Sequence, residues 1–189
     1  MSRAASSTSL SSGPLRRRLL LGATGLGLAG CGFQPLYGEG RGGGAVAQAG
    51  EEVRAVLAST EVALIPNRDG QLLRRLLIER LGAAGVAPPR QELRVGIQFG
   101  AEPEGFRRDG IPTRLRLNGT ANWLLTSLAT PPVTIAQGVE RAFDSFNIPD
   151  TQFFAGDVAS DAARNRILEQ LADDIVLRLS VVLRERGAA

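Results

Sequence analysis

Four arginines stand close together in this sequence, at Arg107, Arg108, Arg114 and Arg116. The planar guanidinium fork matches phosphate and carboxylate bidentately, so such a group can hold an anionic ligand. It can equally be the solvated surface of a strand in an arginine-rich chain. Little else offers chemistry. The chain has no histidine, which excludes Ser-His-Asp and Cys-His arrangements and the commonest metal ligand. Adjacent carboxylates such as Asp173-Asp174 and Glu51-Glu52 diverge around a helix instead of facing each other. Nothing marks the cleft that a carboxylate-only glycosidase would need. No catalytic residue and no metal site is expected, and the chain reads as a binding or assembly component, not an enzyme.

The one cysteine, Cys31, follows Arg16-Arg17-Arg18, an apolar run from Leu19 to Leu28, and Ala29-Gly30. A basic start, a short apolar segment and small residues before a cut are the parts of a secretory signal. The run is shorter than the roughly 20 residues of a membrane-spanning helix. The arginines leave Sec and twin-arginine export both open. A lone cysteine is often just a small buried thiol, but Leu28-Ala29-Gly30-Cys31 resembles the lipobox of bacterial lipoproteins. The resemblance implies cleavage between Gly30 and Cys31, diacylglycerol thioether-linked to the Cys31 sulfur, and a further acyl chain such as palmitate on the new amino group. Stable anchoring takes more than one acyl chain, and this arrangement supplies it. No other cofactor is expected.

The signal also carries Arg3, Arg16, Arg17 and Arg18, and no acid. Removing those four from the 22 basic residues leaves 18 against 19 carboxylates, so the formal +3 becomes slightly negative. The case for nucleic-acid binding that a basic isoelectric point would raise leaves with the signal. Of the 189 residues, 1–30 are expected as signal peptide, 31–50 as a lipidated glycine-rich tether, and 51–189 as a single α+β domain. Gly-rich stretches behave as flexible coils. The phosphate-cradling alternative lacks its flanking strand and Lys-Ser/Thr helix.

The elements that must position the arginines follow from periodicity. Residues 51–58 suggest one or two helical turns. Glu61–Ile65 reads as a short strand ended by Pro66. Asn67 or Asp69 can then cap a helix carrying Leu72, Leu73, Leu76, Leu77 and Leu81 at helical spacing. Leu93, Val95, Ile97 and Phe99 alternate with polar residues. After a polar connection at 102–110, Leu115, Leu117, Gly119, Ala121, Trp123 and Leu125 alternate with Arg114, Arg116, Asn118, Thr120 and Asn122. Period two with one apolar face marks a half-buried antiparallel sheet. Residues 133–143 alternate less well, 147–156 read as a loop, and a long helix is expected over 157–186. Its stripe is Ala163, Ile167, Leu171, Ile175, Leu179 and Val182, widened by Leu168, Leu177 and Leu183. Asp157 and Asp161 at its start and Arg184 and Arg186 at its end suit the helix dipole. The order strand-helix-three strands-helix predicts a four-stranded mixed sheet with two helices packed on one face. The other face is polar and carries the arginines.

Cys31-Gly32-Phe33-Gln34-Pro35-Leu36-Tyr37-Gly38 resembles the amino terminus of the lipopolysaccharide-assembly lipoprotein family LptE. Ile65-Pro66-Asn67-Arg68-Asp69-Gly70-Gln71-Leu72-Leu73-Arg74 is similar to that family's passage from first strand to first helix, and the order of elements is similar too. The resemblance implies an outer-membrane lipoprotein on the periplasmic side. Such a protein plugs and helps assemble the large β-barrel LptD, and takes part in inserting lipopolysaccharide. LptD and lipopolysaccharide are thus the implied partners, with no nucleic acid. A basic patch binds lipopolysaccharide in the family; this chain has no lysine, so only arginine could serve. The alternatives are an auxiliary lipoprotein of another envelope lipid-transport system and, least favoured, a periplasmic enzyme.

Overall fold

The computed structural model describes residues 50–149 and 153–187; the signal, the Gly30–Cys31 junction and the tether lie outside them. The elements are α1 (Glu51–Ala58), β1 (Thr60–Val62), α2 (Asn67–Gly82), β2 (Gln91–Phe106), β3 (Pro112–Ser127), β4 (Thr134–Asn147) and α3 (Phe153–Gly187). They form the expected α+β arrangement, with the 51–58 segment adding a third, short helix. The four strands are ordered β1-β2-β3-β4. The crossover through α2 makes β1 parallel to β2, and the two hairpins make β2–β3 and β3–β4 antiparallel.

The odd-numbered residues of β2 and β3 face the helices as their alternation requires. Leu93, Val95, Leu117, Ala121, Trp123 and Leu125 are buried, with Ile97 and Phe99 partly so. Against them lie Leu73, Leu77 and Leu81 of α2, and Ala163, Ile167, Leu168, Leu171, Ile175 and Leu179 of α3. Two glycines make this packing possible. A Cβ on Gly119 would come 2.4 Å from Ile167 Cγ2, and one on Gly138 2.6 Å from Trp123 Cζ2. Without those side chains α3 can lie close on β3, and the indole lies flat over β4.

Several expectations are corrected. β1 stops at Val62, although Ala63 N still donates to Leu93 O at 3.0 Å. Neither Asn67 nor Asp69 caps α2 with its side chain. Pro66 holds the N-cap position, Asn67 is left-handed at φ 67°, and Asp69 accepts from Arg164 Nη1 at 3.1 Å. The 102–110 connection is mostly strand: β2 runs to Phe106, with bulges around Gly105. β1 pairs only with residues 91–93 of β2, so Pro103 lies on a free edge where its missing N–H removes no ladder bond. β4 continues to Asn147, and α3 starts at Phe153, which moves Asp157 out of the first turn. Leu177 is exposed and Val176 buried instead, because at 100° per residue Val176 continues the Ala172–Leu179 stripe.

The poor alternation of β4 has a specific cause. Glu140 and Asp144 face the helix layer, where hydrophobic residues would be expected. Glu140 Oε1 accepts from Trp123 Nε1 at 3.3 Å and from Arg178 Nε at 3.4 Å, and its side chain is only 14% exposed. Asp144 Oδ2 accepts from Arg166 Nε at 2.6 Å. An acid in this position is tolerated because its hydrogen bonds and counter-charge are supplied.

Candidate functional site

The β2–β3 hairpin gathers the arginines singled out by sequence, and it does not leave them equally available. The turn closes through Arg107 N donating to Ile111 O at 2.9 Å and Gly110 N donating to Arg107 O at 3.0 Å. Arg107 Nε lies 3.6 Å from Asp109 Oδ1. Arg108 is exposed at the tip, beside Phe106 (61% exposed) and Ile111 (48%).

Arg114 and Arg116 project from the outer sheet face, as their period-two spacing requires, and both meet Glu104. Arg114 Nε is 3.1 Å from Glu104 Oε2, and Arg116 Nε is 3.5 Å from Oε1. Ser145 Oγ donates to Glu104 Oε2 at 2.7 Å, Arg114 Nη1 donates to Asn147 Oδ1 at 3.5 Å, and the Arg116 guanidinium stacks over Phe143 at 4.5 Å. The Ser145 hydroxyl foremost, then the Arg114 hydrogen bond and the two guanidinium charges, hold the Glu104 carboxyl below the usual range against the desolvation that opposes them. Because this pKa is lowered, the clamp's contribution is present above the ordinary carboxylate value and is lost as pH falls through the lowered one. The four arginines are therefore not a block of free positive charge. Glu102, Glu104 and Asp109 share the hairpin with them, and Arg108 is its most available cation. Sequence periodicity could not reveal Glu104 as the clamp, since its segment reads as a connection. Phe106 and Ile111 were missed for the same reason.

Other charged groups brace the fold. Arg80 Nε–Asp173 Oδ1 (2.6 Å), Arg164 Nη1–Asp69 Oδ2 (3.1 Å) and Arg68 Nη1–Asp161 Oδ2 (3.5 Å) join α2 to α3. An apolar cavity of about 320 Å³ lies between α1, β1 and α2, lined by Leu57, Val62, Ile78 and Leu81 among others. Among the described residues no group of three or more acidic, cysteine or histidine side chains could hold a metal.

Asp174, on α3, is pushed above its usual pKa by burial first, then by the charges of Glu140 and Asp173. A raised acid pKa means the folded chain binds a proton that the unfolded chain has released, so this group costs stability as pH rises. Asp174→Asn is expected to raise the melting temperature slightly at pH 7, by about 1–2 °C once solvent screening of this partly exposed group is allowed for. The gain should shrink as pH falls through the ordinary aspartate range, since Asp174 then becomes protonated in both states. Thermal melts at pH 7 and pH 3.5 check this, and an equal gain at both would assign the effect to something other than charge.

The family model of LptE, described as lipopolysaccharide-assembly, matches residues 57–179, from the end of α1 through most of α3. This chain belongs to the LptE lipopolysaccharide-assembly family. Solved structures share its fold. A putative lipoprotein from Caulobacter crescentus is 22% identical, with 71% of this chain and 98% of that one covered and a TM-score of 0.55. Rare lipoprotein B from Shewanella oneidensis is 12% identical over 68% of this chain and 100% of that one, TM-score 0.53. An uncharacterised lipoprotein B from Nitrosomonas europaea is 13% identical over 64% and 81%, TM-score 0.50. Among curated proteins none matches this chain by sequence. At these identities the LptE family match carries the functional class, and the solved structures carry the fold.

Proposed function

We propose that this LptE-family chain is anchored to the periplasmic side of the outer membrane through acyl chains on Cys31. There it seats in the LptD barrel and contacts lipopolysaccharide through the tip of the β2–β3 hairpin. The observation that carries the ligand assignment is the pairing of an exposed cation, Arg108, with the exposed apolar side chains Phe106 and Ile111. Phosphate and acyl chain occur together in lipopolysaccharide, and the tip presents a partner for each. Arg107 stands behind it, while Arg114 and Arg116 fix the hairpin through Glu104.

Arg108→Glu tests this most directly, because Arg108 is exposed and its replacement leaves the Glu104 clamp intact. Lipopolysaccharide binding by the purified protein is expected to weaken roughly tenfold, the scale of one charge-assisted hydrogen bond. The residual binding should depend less on salt, and LptD should still co-purify. Loss of the LptD complex instead would make the tip a barrel contact. Unchanged behaviour in both assays would return it to a solvated turn. Arg114→Glu with Arg116→Glu is a harsher probe, since it gathers three carboxylates around one point and tests hairpin stability as well as binding.

A further inference from the structure

Beyond the hairpin clamp, the outer sheet face changes character. Three cross-strand rows follow from the register: Gly96–Asn122–Val139, Gln98–Thr120–Arg141 and Gly100–Asn118–Phe143. Among the described residues no helix covers them, because the three described helices pack on the other face. Among the described residues the side chains of Gln98, Asn118, Thr120 and Asn122 make no hydrogen bond, and Arg141 makes no ion pair. This contrasts with Arg114, Arg116, Glu104 and Ser145, which satisfy one another. Gly96 and Gly100 leave open space where side chains would stand, and a hollow of about 320 Å³ lies at Gly96, Asn122 and Leu124.

We propose that this face binds a neutral, hydroxyl-rich oligosaccharide. Amides and the threonine hydroxyl both donate and accept, as sugar hydroxyls do. Strand spacing and the period-two repeat set these groups out about every 5–7 Å in two directions. Gly96 and Gly100, on either side of Gln98, let a sugar ring approach the backbone there. A polyanion would need several cations; in these rows only Arg141 supplies one, and Arg94, which also lines the hollow, is paired with Glu92 at 2.6 Å. A protein partner would be expected to find apolar anchors at the centre of its contact; here the centre is Thr120, and Val139 and Phe143 lie on the edge strand. The inference rests on the lipopolysaccharide reading, and it divides the ligand: the hairpin tip meets its phosphate and acyl portion, the sheet face its sugars.

The probe is the neutral outer oligosaccharide of lipopolysaccharide, freed of lipid, phosphates and sugar acids, titrated into the full mature chain in detergent and followed by ¹⁵N NMR. The side-chain amide signals of Gln98, Asn118 and Asn122 are expected to shift and saturate. Gly96→Leu with Gly100→Leu fills two positions that have open space and no positive φ. It should keep the wild-type melting temperature or exceed it, while weakening oligosaccharide binding roughly tenfold, the scale of two lost hydrogen bonds. Unmoved amides in the wild type, or wild-type affinity in the double variant, would overturn the inference. So would loss of LptD co-purification in the double variant with no oligosaccharide shifts in the wild type, which would make this face a protein contact. Intact lipopolysaccharide separates the two readings. If it binds in an Arg108-dependent way while the amides stay still, the sheet-face inference alone fails. If it does not bind the wild-type chain at all, the hairpin reading fails, whatever the amides do.

Discussion

Trp123→Ala is expected to destabilise the domain by about 3–5 kcal/mol, the usual cost of truncating a buried tryptophan. That is a large share of the roughly 5–15 kcal/mol that holds a domain of this kind together, and corresponds to a fall in melting temperature of roughly 10–20 °C. The indole is 3% exposed, sits on the longest apolar run of the sheet, and lies against Gly138, the one residue on β4 small enough to admit it. Alanine would leave a cavity that cannot close from that side, because no side chain stands there to move in. It would also remove the Nε1 donor to Glu140, leaving that mostly buried carboxylate with Arg178 alone. Trp123→Phe should recover most of the volume but not the hydrogen bond, and fall between the two. Denaturant unfolding followed by circular dichroism measures both variants without relying on the fluorophore being removed. A Trp123→Ala protein as stable as wild type that fails to bind its partner would place the indole in an interface instead.

In chain produced in excess over LptD, Cys31→Ala is expected to move the protein out of the membrane fraction almost completely. Each buried acyl methylene contributes about 0.8 kcal/mol to membrane attachment, and stable anchoring needs two signals; the acylation proposed for Cys31 would supply both at one residue. Among the described residues no helix is long and apolar enough to cross a membrane, and the other hold proposed for the body is its seat in LptD. The variant should therefore accumulate as unprocessed precursor or as soluble chain, while its domain melts as wild type does. Mass spectrometry of the wild-type amino-terminal peptide should show the added acyl mass on Cys31. Finding an unmodified Cys31 at the start of membrane-bound protein would sink the anchor reading.

How far the chain could be read without its structure depends on the range of the interaction involved. Burying one face imposes a local period, two on a strand and 3.6 on a helix, and that period is written in neighbouring residues. Hence Leu93 to Phe99, Leu115 to Leu125 and the α2 and α3 stripes were legible, along with the sheet, its helical cover and the outward direction of Arg114 and Arg116. The Leu-Ala-Gly-Cys segment lies outside the described residues, and its reading as a processing signal rests on its linear sequence. What the sequence left open lies in pairings between distant segments. Pro103 and Gly105 look like loop punctuation until β3 is seen beside them and β1 is seen to stop short, which turns the segment into an edge strand with bulges. Glu140 and Asp144 spoil the pattern of β4 until Arg178 and Arg166, 38 and 22 residues away, arrive on α3 to satisfy them. The arginine cluster, legible as composition, changes meaning when Glu104 clamps two of its members with help from Ser145, 41 residues on. A charge shows its type in the sequence, but whether it is free to meet a ligand is decided by which counter-charge the fold brings within hydrogen-bonding distance.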